Sequence, residues 1–289
     1  MAVYEQTYKS YTGPLTPALS RFLIIPRYAY EVVFKSRLFV SFFVLCFAVP
    51  FVGLILIYLK HNLSALQIFG TSAGEIANAL PINHTFFYWG QWYQGALSFL
   101  LVLFVGPALV APDLRNNGLA LYLSRPFTRT EYVLGKMSVL LILLSAITWV
   151  PGLILFAFQA SLEKGWLGQN LSIAGAILIG SWVWIIFLSL LALAVSAWVK
   201  WKPVARVTLI GLFFVLMGFG GTINQSLDVK WGMLLSAWHV IGSIWYSLFD
   251  MGVTDEFPPA GAAWVALIAG CLIYLFLLYR RIRAYEVVR

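Results

Sequence analysis

Charged side chains are scarce in this chain, and many of them lie in one stretch, Asp113–Lys136, between two long apolar segments. This stretch contains four basic residues: Arg115, Arg125, Arg129 and Lys136. Guanidinium and ammonium groups at such positions can form ion pairs with carboxylates of another protein. A short basic insert between two membrane spans therefore predicts contact with a partner on the cytoplasmic side.

The insert also carries signals of ordered structure. Leu119–Ser124 is long enough for one or two helical turns, and Pro126 ends them. Thr128 and Glu131 then form a Thr-x-x-Glu capping box, in which hydroxyl and carboxylate satisfy the first amides of a helix. We therefore predict that a helix begins at about Arg129 and continues into the next span.

Other chemistries have weaker support. The histidines His61, His84 and His239 are scattered without ligand spacing, and Cys46 and Cys271 lie far apart within apolar runs. Asp255–Glu256 is more typical of a solvated loop end than of an acid/base pair. We predict no catalytic residue, no metal site and no bound cofactor in this chain.

A nucleotide-binding loop is also missing from the sequence. Gly135–Lys136 is followed by Met137, and no glycine stands five residues before Gly135. If ATP drives this protein, a separate subunit must bind the ATP and its magnesium ion.

The elements that position the insert are membrane spans. The chain has 289 residues, of which 61% are hydrophobic and 10% charged, whereas soluble domains have about 25% charged residues. This composition predicts an all-α polytopic membrane protein with a single domain over residues 1–289.

Pro50, Pro107 and Pro151 fall inside predicted spans. Proline inside a span is tolerated where neighbours satisfy the carbonyl that it frees. The six predicted spans are Leu38–Leu59, Tyr93–Ala111, Met137–Phe158, Leu171–Val199, Val207–Ile223 and Ala262–Tyr279.

Orientation follows from the distribution of basic residues. With the N-terminus inside, sixteen of the nineteen Lys and Arg residues fall on the inner side, so both termini are predicted to be cytoplasmic. The same bias accounts for the net charge of +8, and we expect no nucleic-acid binding. No charged residue lies near the middle of a span, which argues against an ion-coupled carrier.

Two further elements lie outside the spans. Residues 26–37 place Arg27, Glu31 and Lys35 on one helical stripe, which predicts an amphipathic helix on the inner leaflet. Residues 224–259 form an outer segment between spans 5 and 6, and its apolar part, Trp231–Phe249, is interpreted as interfacial or re-entrant. There Trp231, Trp238 and Trp245 recur every seven residues, so one helical face is predicted for all three. They would form either an interfacial anchor or part of a gate.

The sequence of Asp113–Lys136, DLRNNGLALYLSRPFTRTEYVLGK, resembles the cytoplasmic loop of ABC-2 type permeases of ATP-binding-cassette transporters. The shared features are an acidic residue, a turn with glycine, a leucine-rich piece, Ser-Arg-Pro, then Arg-x-Glu-Tyr and Gly-Lys. The motif covers about two dozen residues, and the span architecture agrees over the whole chain. Leu119–Tyr122 departs from the Thr-Leu-Glu-like residues of many exporters, and no substrate class is inferred.

This resemblance implies a permease subunit, not itself an enzyme, in a bacterial inner (plasma) membrane. Its partners would be cytoplasmic ATPase subunits, a second permease copy or a paralogue, the lipid bilayer and periplasmic or accessory subunits. The insert would be the coupling helix, with Arg125 and Arg129 paired to acids of the ATPase, and the outer segment would belong to the exit gate. The implied coupling residues are Leu121, Ser124, Arg125, Pro126, Thr128, Arg129 and Glu131.

Two alternatives stay open at this point. One is a channel or carrier that works without ATP. The other is a membrane-embedded structural or assembly subunit of a larger complex, which overlaps with the permease hypothesis.

Overall fold

The computed structural model describes residues 24–62, 81–116, 118, 128–227, 229, 231–252, 254 and 256–282, and these residues contain helices and no β-strand. Six helical segments are long and apolar enough to cross a membrane, which confirms the predicted helical, multi-pass character. The cytoplasmic location of the termini stays a prediction. We number the segments spans 1 to 6: Arg37–His61, His84–Arg115, Arg129–Leu162, Leu171–Trp198, Lys202–Leu227 and Ala260–Arg281.

Spans 1 to 3 are each interrupted, whereas spans 4 to 6 are continuous helices. Span 1 consists of helices Arg37–Leu45 and Ala48–His61, and span 3 of Arg129–Ile147 and Trp149–Leu162. Span 2 contains the helix His84–Val105, a 3-10 turn at Gly106–Ala108 and the short helix Ala111–Arg115.

Most spans extend beyond the predicted apolar segments, because polar capping residues continue the helices past them. Span 2 begins at His84 instead of Tyr93, since the Asn83 side chain accepts a hydrogen bond from the Thr85 amide at 3.1 Å. Span 3 begins at Arg129, as the capping box predicts.

Two of the prolines inside spans free a carbonyl that a side chain from another span then satisfies. Pro50 leaves the Cys46 carbonyl without its helical donor, and Gln94 Nε2 of span 2 donates to that oxygen at 2.8 Å. Pro107 likewise frees the Leu103 carbonyl, which accepts from Arg206 Nε of span 5 at 3.0 Å. The breaks in spans 1 and 2 are therefore held by hydrogen bonds between spans.

The spans differ strongly in burial. Spans 2 and 4 are mostly buried, whereas spans 1, 5 and 6 leave most of their apolar surface uncovered. Span 4 contacts spans 2, 3 and 6 along its length, so it lies at the centre of the bundle. In a membrane, the uncovered faces of spans 1, 5 and 6 would contact lipid or another chain.

The N-terminal helix runs over Ile24–Val33, so it begins before and ends sooner than the predicted range 26–37. It ends early because Ser36 caps the first helix of span 1 by accepting from the Phe39 amide at 3.3 Å. Arg27 and Glu31 are exposed on this helix, and exposed Lys35 lies in the turn that follows it. Its location on a membrane leaflet stays a prediction.

The segment between spans 5 and 6 contains a 3-10 turn, Trp231–Leu235, and a helix, Ala237–Leu248. That helix has 12 residues, a length of about 18 Å against a bilayer core of about 30 Å. It is too short to cross, so it adds no seventh span. It packs against span 6 and returns to the start of span 2, where His84 Nδ1 lies 3.0 Å from the Phe249 carbonyl oxygen.

The prediction of one helical face for the three tryptophans is wrong. Ser236 caps a new helix at Ala237, which interrupts the seven-residue spacing after Trp231. Trp231 lies in the 3-10 turn and is 63% exposed, whereas Trp245 is fully buried. Trp238 and Trp245 share the helix and pack against each other.

The two ends of the bundle carry different charge. Most described Lys and Arg residues lie at the end where spans 2, 4 and 6 finish and spans 3 and 5 begin. We call this the basic end, and it includes both roots of the insert, Asp113 and Thr128.

Candidate functional site

The predicted coupling residues fall into two groups in the structure. Thr128, Arg129 and Glu131 lie at the start of span 3, where Thr128 and Arg129 are exposed at the basic end. The other four, Leu121, Ser124, Arg125 and Pro126, lie outside the described residues. The site is therefore described from its two roots, the end of span 2 and the start of span 3.

The capping box predicted from the sequence is present at the root on span 3. Thr128 Oγ1 accepts from the Glu131 amide at 3.2 Å, and the Thr128 amide donates to Glu131 Oε2 at 2.6 Å. Thr128 Oγ1 also donates to the same carboxylate oxygen at 2.8 Å. The first turn of span 3 is thus fixed by reciprocal hydrogen bonds.

A largely buried ion pair joins the two roots. Lys136 Nζ of span 3 lies 2.7 Å from Asp113 Oδ2 of span 2. Tyr132 Oη donates to the same oxygen at 2.7 Å, and the Lys136 ammonium lies 5.5 Å from the Tyr132 ring centroid. Tyr132 is fully buried and Lys136 is 8% exposed. Spans 2 and 3 are therefore joined to each other at the two roots of the insert. We call these three residues the root lock.

Span 4 holds the segment of span 2 that leads to the root lock. Ser196 Oγ accepts from the amides of Val110 at 3.1 Å and Ala111 at 2.9 Å. These amides lie where span 2 leaves regular helix, so they lack helical acceptors nearby in the chain. One buried serine thus ties the end of span 2 to span 4.

The N-terminal helix also contacts this region. Tyr30 Oη donates to the Val139 carbonyl of span 3 at 3.1 Å, and Ile24–Val33 packs along helix Arg129–Ile147. At the root on span 2, the Arg115 guanidinium lies 5.6 Å from the ring centroid of Trp201, which belongs to the turn between spans 4 and 5. The N-terminal helix, span 4 and the turn between spans 4 and 5 thus all contact span 2 or span 3 near the two roots.

Sequence reasoning missed the root lock, because it assigned Lys136 to the positive-inside bias alone. One signal was available: Tyr132 and Lys136 are four residues apart, so they share a helical face. Opposite charges at the two boundaries of the insert were a second signal. Ser196 carries no such signal, since a serine in an apolar span is compatible with many roles.

We expect Ser196→Ala to lower the stability of the folded chain by about 1–3 kcal/mol, because two buried amides lose their acceptor. Thermal or denaturant unfolding in detergent micelles measures the change. The matched control is Ser172→Ala, at an exposed position of the same helix. Equal stability of the two variants would contradict the role assigned to Ser196.

The histidines are separate from one another in the structure. His61 Nδ1 lies 3.0 Å from the Ile57 carbonyl oxygen, His84 contacts Phe249, and His239 Nδ1 lies 2.9 Å from Ser236 Oγ. Burial lowers the pKa of His239. The described residues contain no group of three His, Cys, Asp or Glu side chains able to hold a metal ion.

The tryptophans predicted to form a gate belong mostly to a buried or half-buried cluster between the middle of span 4 and the end opposite the basic end. Trp238 lies 4.5 Å from Trp92 of span 2, and Trp245 lies 6.0 Å from Trp184 of span 4, between ring centroids. Trp245 Nε1 donates to the Gly180 carbonyl at 3.0 Å. We call these four residues the tryptophan cluster. Exposed Trp231 is not part of it.

No family model matches the chain, and no curated protein matches its sequence.

Proposed function

We propose that this chain is the membrane-spanning permease subunit of an ABC-2 type ATP-binding-cassette transporter. In this function, separate cytoplasmic ATPase subunits hydrolyse ATP, and the chain converts their movement into movement of a substrate across the membrane. The subunit pairs with a second permease copy or a paralogue in the inner membrane of a bacterium. ATP and magnesium bind to the ATPase subunits, and this chain binds neither.

The observation that carries the proposal is the construction of the insert. Its roots are fixed by the capping box and by the root lock, in which Asp113 contacts both Tyr132 and Lys136. A loop that only connected two spans would need no buried ion pair. A loop that transmits force needs rigid attachment to both spans, and this arrangement supplies it. The resemblance of Asp113–Lys136 to the ABC-2 loop and the six apolar spans agree with this interpretation.

The mechanism follows from these contacts. Arg125 and exposed Arg129 form ion pairs with acids in a groove of the ATPase. Leu121, Ser124 and Pro126 complete the docking surface, and Thr128 with Glu131 keeps the start of span 3 helical. Because the root lock joins spans 2 and 3, a displacement of the insert moves both together. Ser196 passes that displacement to span 4, the central helix of the bundle.

Near the middle of span 4, the tryptophan cluster connects this movement to the outer segment. Trp245 is hydrogen-bonded to Gly180 and packed against Trp184, both in span 4. We propose that the helix Ala237–Leu248 moves with spans 2 and 4 and forms part of the exit gate. In that gate Trp238 and Trp245 attach the helix to spans 2 and 4, and Trp231 lies at its surface.

The test uses the full chain co-expressed with the ATPase that we expect the neighbouring genes to encode. Arg125→Glu and Arg129→Glu place like charges against the acidic groove, which costs several kcal/mol. We expect association with the ATPase to fall by more than about tenfold, together with the stimulated ATP hydrolysis. Co-purification and ATPase assays measure the two effects.

The matched control is Arg280→Glu, which reverses an exposed charge at the same end but outside the insert. It should leave association unchanged. Unchanged association in the Arg125 and Arg129 variants would contradict the coupling role. Flux through the purified chain in liposomes without an ATPase would favour a carrier and contradict the proposal as a whole.

A further inference from the structure

A cavity of about 490 Å³ lies between spans 1, 2 and 3, away from the root lock. Its walls come from the second helix of span 1, the first turns of span 2 and the second helix of span 3. Pro50 and Pro151, at the breaks of spans 1 and 3, both line it. Its volume falls in the range of about 300–1,000 Å³ typical of small-molecule sites.

The lining is apolar and uncharged. No Asp, Glu, Lys, Arg or His is found among the described residues that line the cavity. The polar lining side chains are mostly engaged: Gln91 Nε2 donates to Ser181 at 3.0 Å, and Thr148 Oγ1 donates to the Leu144 carbonyl at 2.7 Å. Asn83 caps span 2. A ligand of this cavity must therefore be largely hydrocarbon where it is enclosed.

Gln94 differs from these neighbours. It lines the cavity and is 4% exposed, and its Nε2 donates to the Cys46 carbonyl. Because a carbonyl can only accept, this bond fixes the orientation of the amide. Its Oε1 is then a buried acceptor with no partner among the described residues. A buried acceptor left unpaired costs about 1–3 kcal/mol, which a donor on a bound ligand would recover.

The cavity is open on the outer surface of the bundle. Three lining residues are about half exposed there: Val52 at 52%, Trp89 at 48% and Tyr93 at 55%. Because these residues belong to spans 1 and 2, the opening faces sideways between two spans. In a membrane, a molecule dissolved in the bilayer can reach it without crossing water.

We propose that this cavity binds a neutral single-chain amphiphile from the bilayer. Its apolar chain lies between spans 1, 2 and 3, and one hydroxyl or amide N–H of the ligand donates to Gln94 Oε1. This site is independent of the ATPase, so it can be tested on the chain alone.

The experiment uses the purified full chain in phosphatidylcholine nanodiscs and a photoreactive diazirine analogue of 1-dodecanol as the probe. We expect saturable labelling of peptides that line the cavity, mapped by mass spectrometry. Unlabelled 1-dodecanol should compete about tenfold better than its methyl ether, which lacks the donor, since one hydrogen bond of this kind accounts for about tenfold.

Two variants separate the cavity from general partition into lipid. Gly90 lines the cavity, and a Cβ atom placed there meets no atom within 4 Å, so the side chain of Gly90→Leu starts in open space and should occupy part of the cavity. It should reduce labelling at least about tenfold, whereas Gly175→Leu, at an equally open position of span 4, should not. Gln94→Met should abolish the preference for the alcohol over the ether. Thermal unfolding verifies that each variant is folded.

Labelling that does not saturate, or that survives Gly90→Leu, would overturn the proposal. Equal competition by the alcohol and the ether in the unchanged chain would overturn the role of Gln94. Labelling that requires dissociation of a dimer would assign this face to a second copy of the chain and would also overturn the proposal. None of these outcomes bears on the coupling role of the insert.

Discussion

Lys136→Met is expected to destabilise the folded chain by up to about 3–5 kcal/mol, because it leaves the partly buried Asp113 carboxylate without its cation. The lysine ammonium lies 2.7 Å from Asp113 Oδ2, and among the described residues the carboxylate then keeps only the Tyr132 hydroxyl as a side-chain partner. Unfolding in detergent micelles, followed by circular dichroism, measures the change. Lys200→Met, at an exposed lysine of the same end, is the matched control and should have little effect.

The double variant Asp113→Asn with Lys136→Met tests whether the loss of stability comes from the Asp113–Lys136 ion pair. With both charges removed, the penalty of an unpaired carboxylate disappears, so the double variant should be more stable than Lys136→Met alone. If the two substitutions instead add, the two side chains do not interact, and the root lock is not a unit. In the complete transporter, the single variant should also lower transport per ATP hydrolysed, because spans 2 and 3 are no longer joined.

Gly95→Val is expected to destabilise the fold by about 1–3 kcal/mol or more, through overpacking against Trp245. A side chain at Gly95 would overlap the Trp245 ring, and one at Gly180 would lie 2.8 Å from Cδ1 of the same ring. The indole is held from both sides, and its Nε1 is hydrogen-bonded to Gly180, so it cannot move aside. Thermal unfolding is the measurement. Gly90→Val, on the same helix and facing open space, is the control.

Trp245→Ala tests the same contact from the other side. It should cost about 3–5 kcal/mol, because it leaves a large cavity in the tryptophan cluster. Combined with Gly95→Val, the total loss should be smaller than the sum, since valine fills part of the vacated space. A strictly additive result would mean that Gly95 and Trp245 do not meet, and that the outer segment packs elsewhere.

Much of this fold is readable from local sequence. The six apolar segments predict the spans, since about 20 apolar residues are needed to cross a bilayer. Thr128 and Glu131 predict the start of span 3, because a capping box involves only residues within one turn. The charge bias predicted that the outer segment is not a seventh span, and the structure agrees, because its helix Ala237–Leu248 is too short to cross. The predictions of the spans and of the capped helix start each depend on residues that are close together in the sequence.

The errors and omissions concern contacts between distant segments. The spacing of the tryptophans predicted one face, but Ser236 starts a new helix and separates Trp231 from Trp238. Pro50 of span 1 frees the Cys46 carbonyl, to which the Gln94 Nε2 group donates. This bond leaves Gln94 Oε1 as the unpaired acceptor in the cavity wall. Neither fact follows from the periodicity of one segment.

The sequence by itself determined the number of spans, their order and the capped start of span 3, because hydrophobic length and helix capping act over one segment. Only the tertiary structure decided that Asp113 meets Lys136, that Ser196 holds the end of span 2, and that Trp245 lies between Gly95 and Gly180. These are single contacts between helices. Apolar helices can pack in many registers, and the register is selected by side-chain fit and by a few buried polar groups that must find partners.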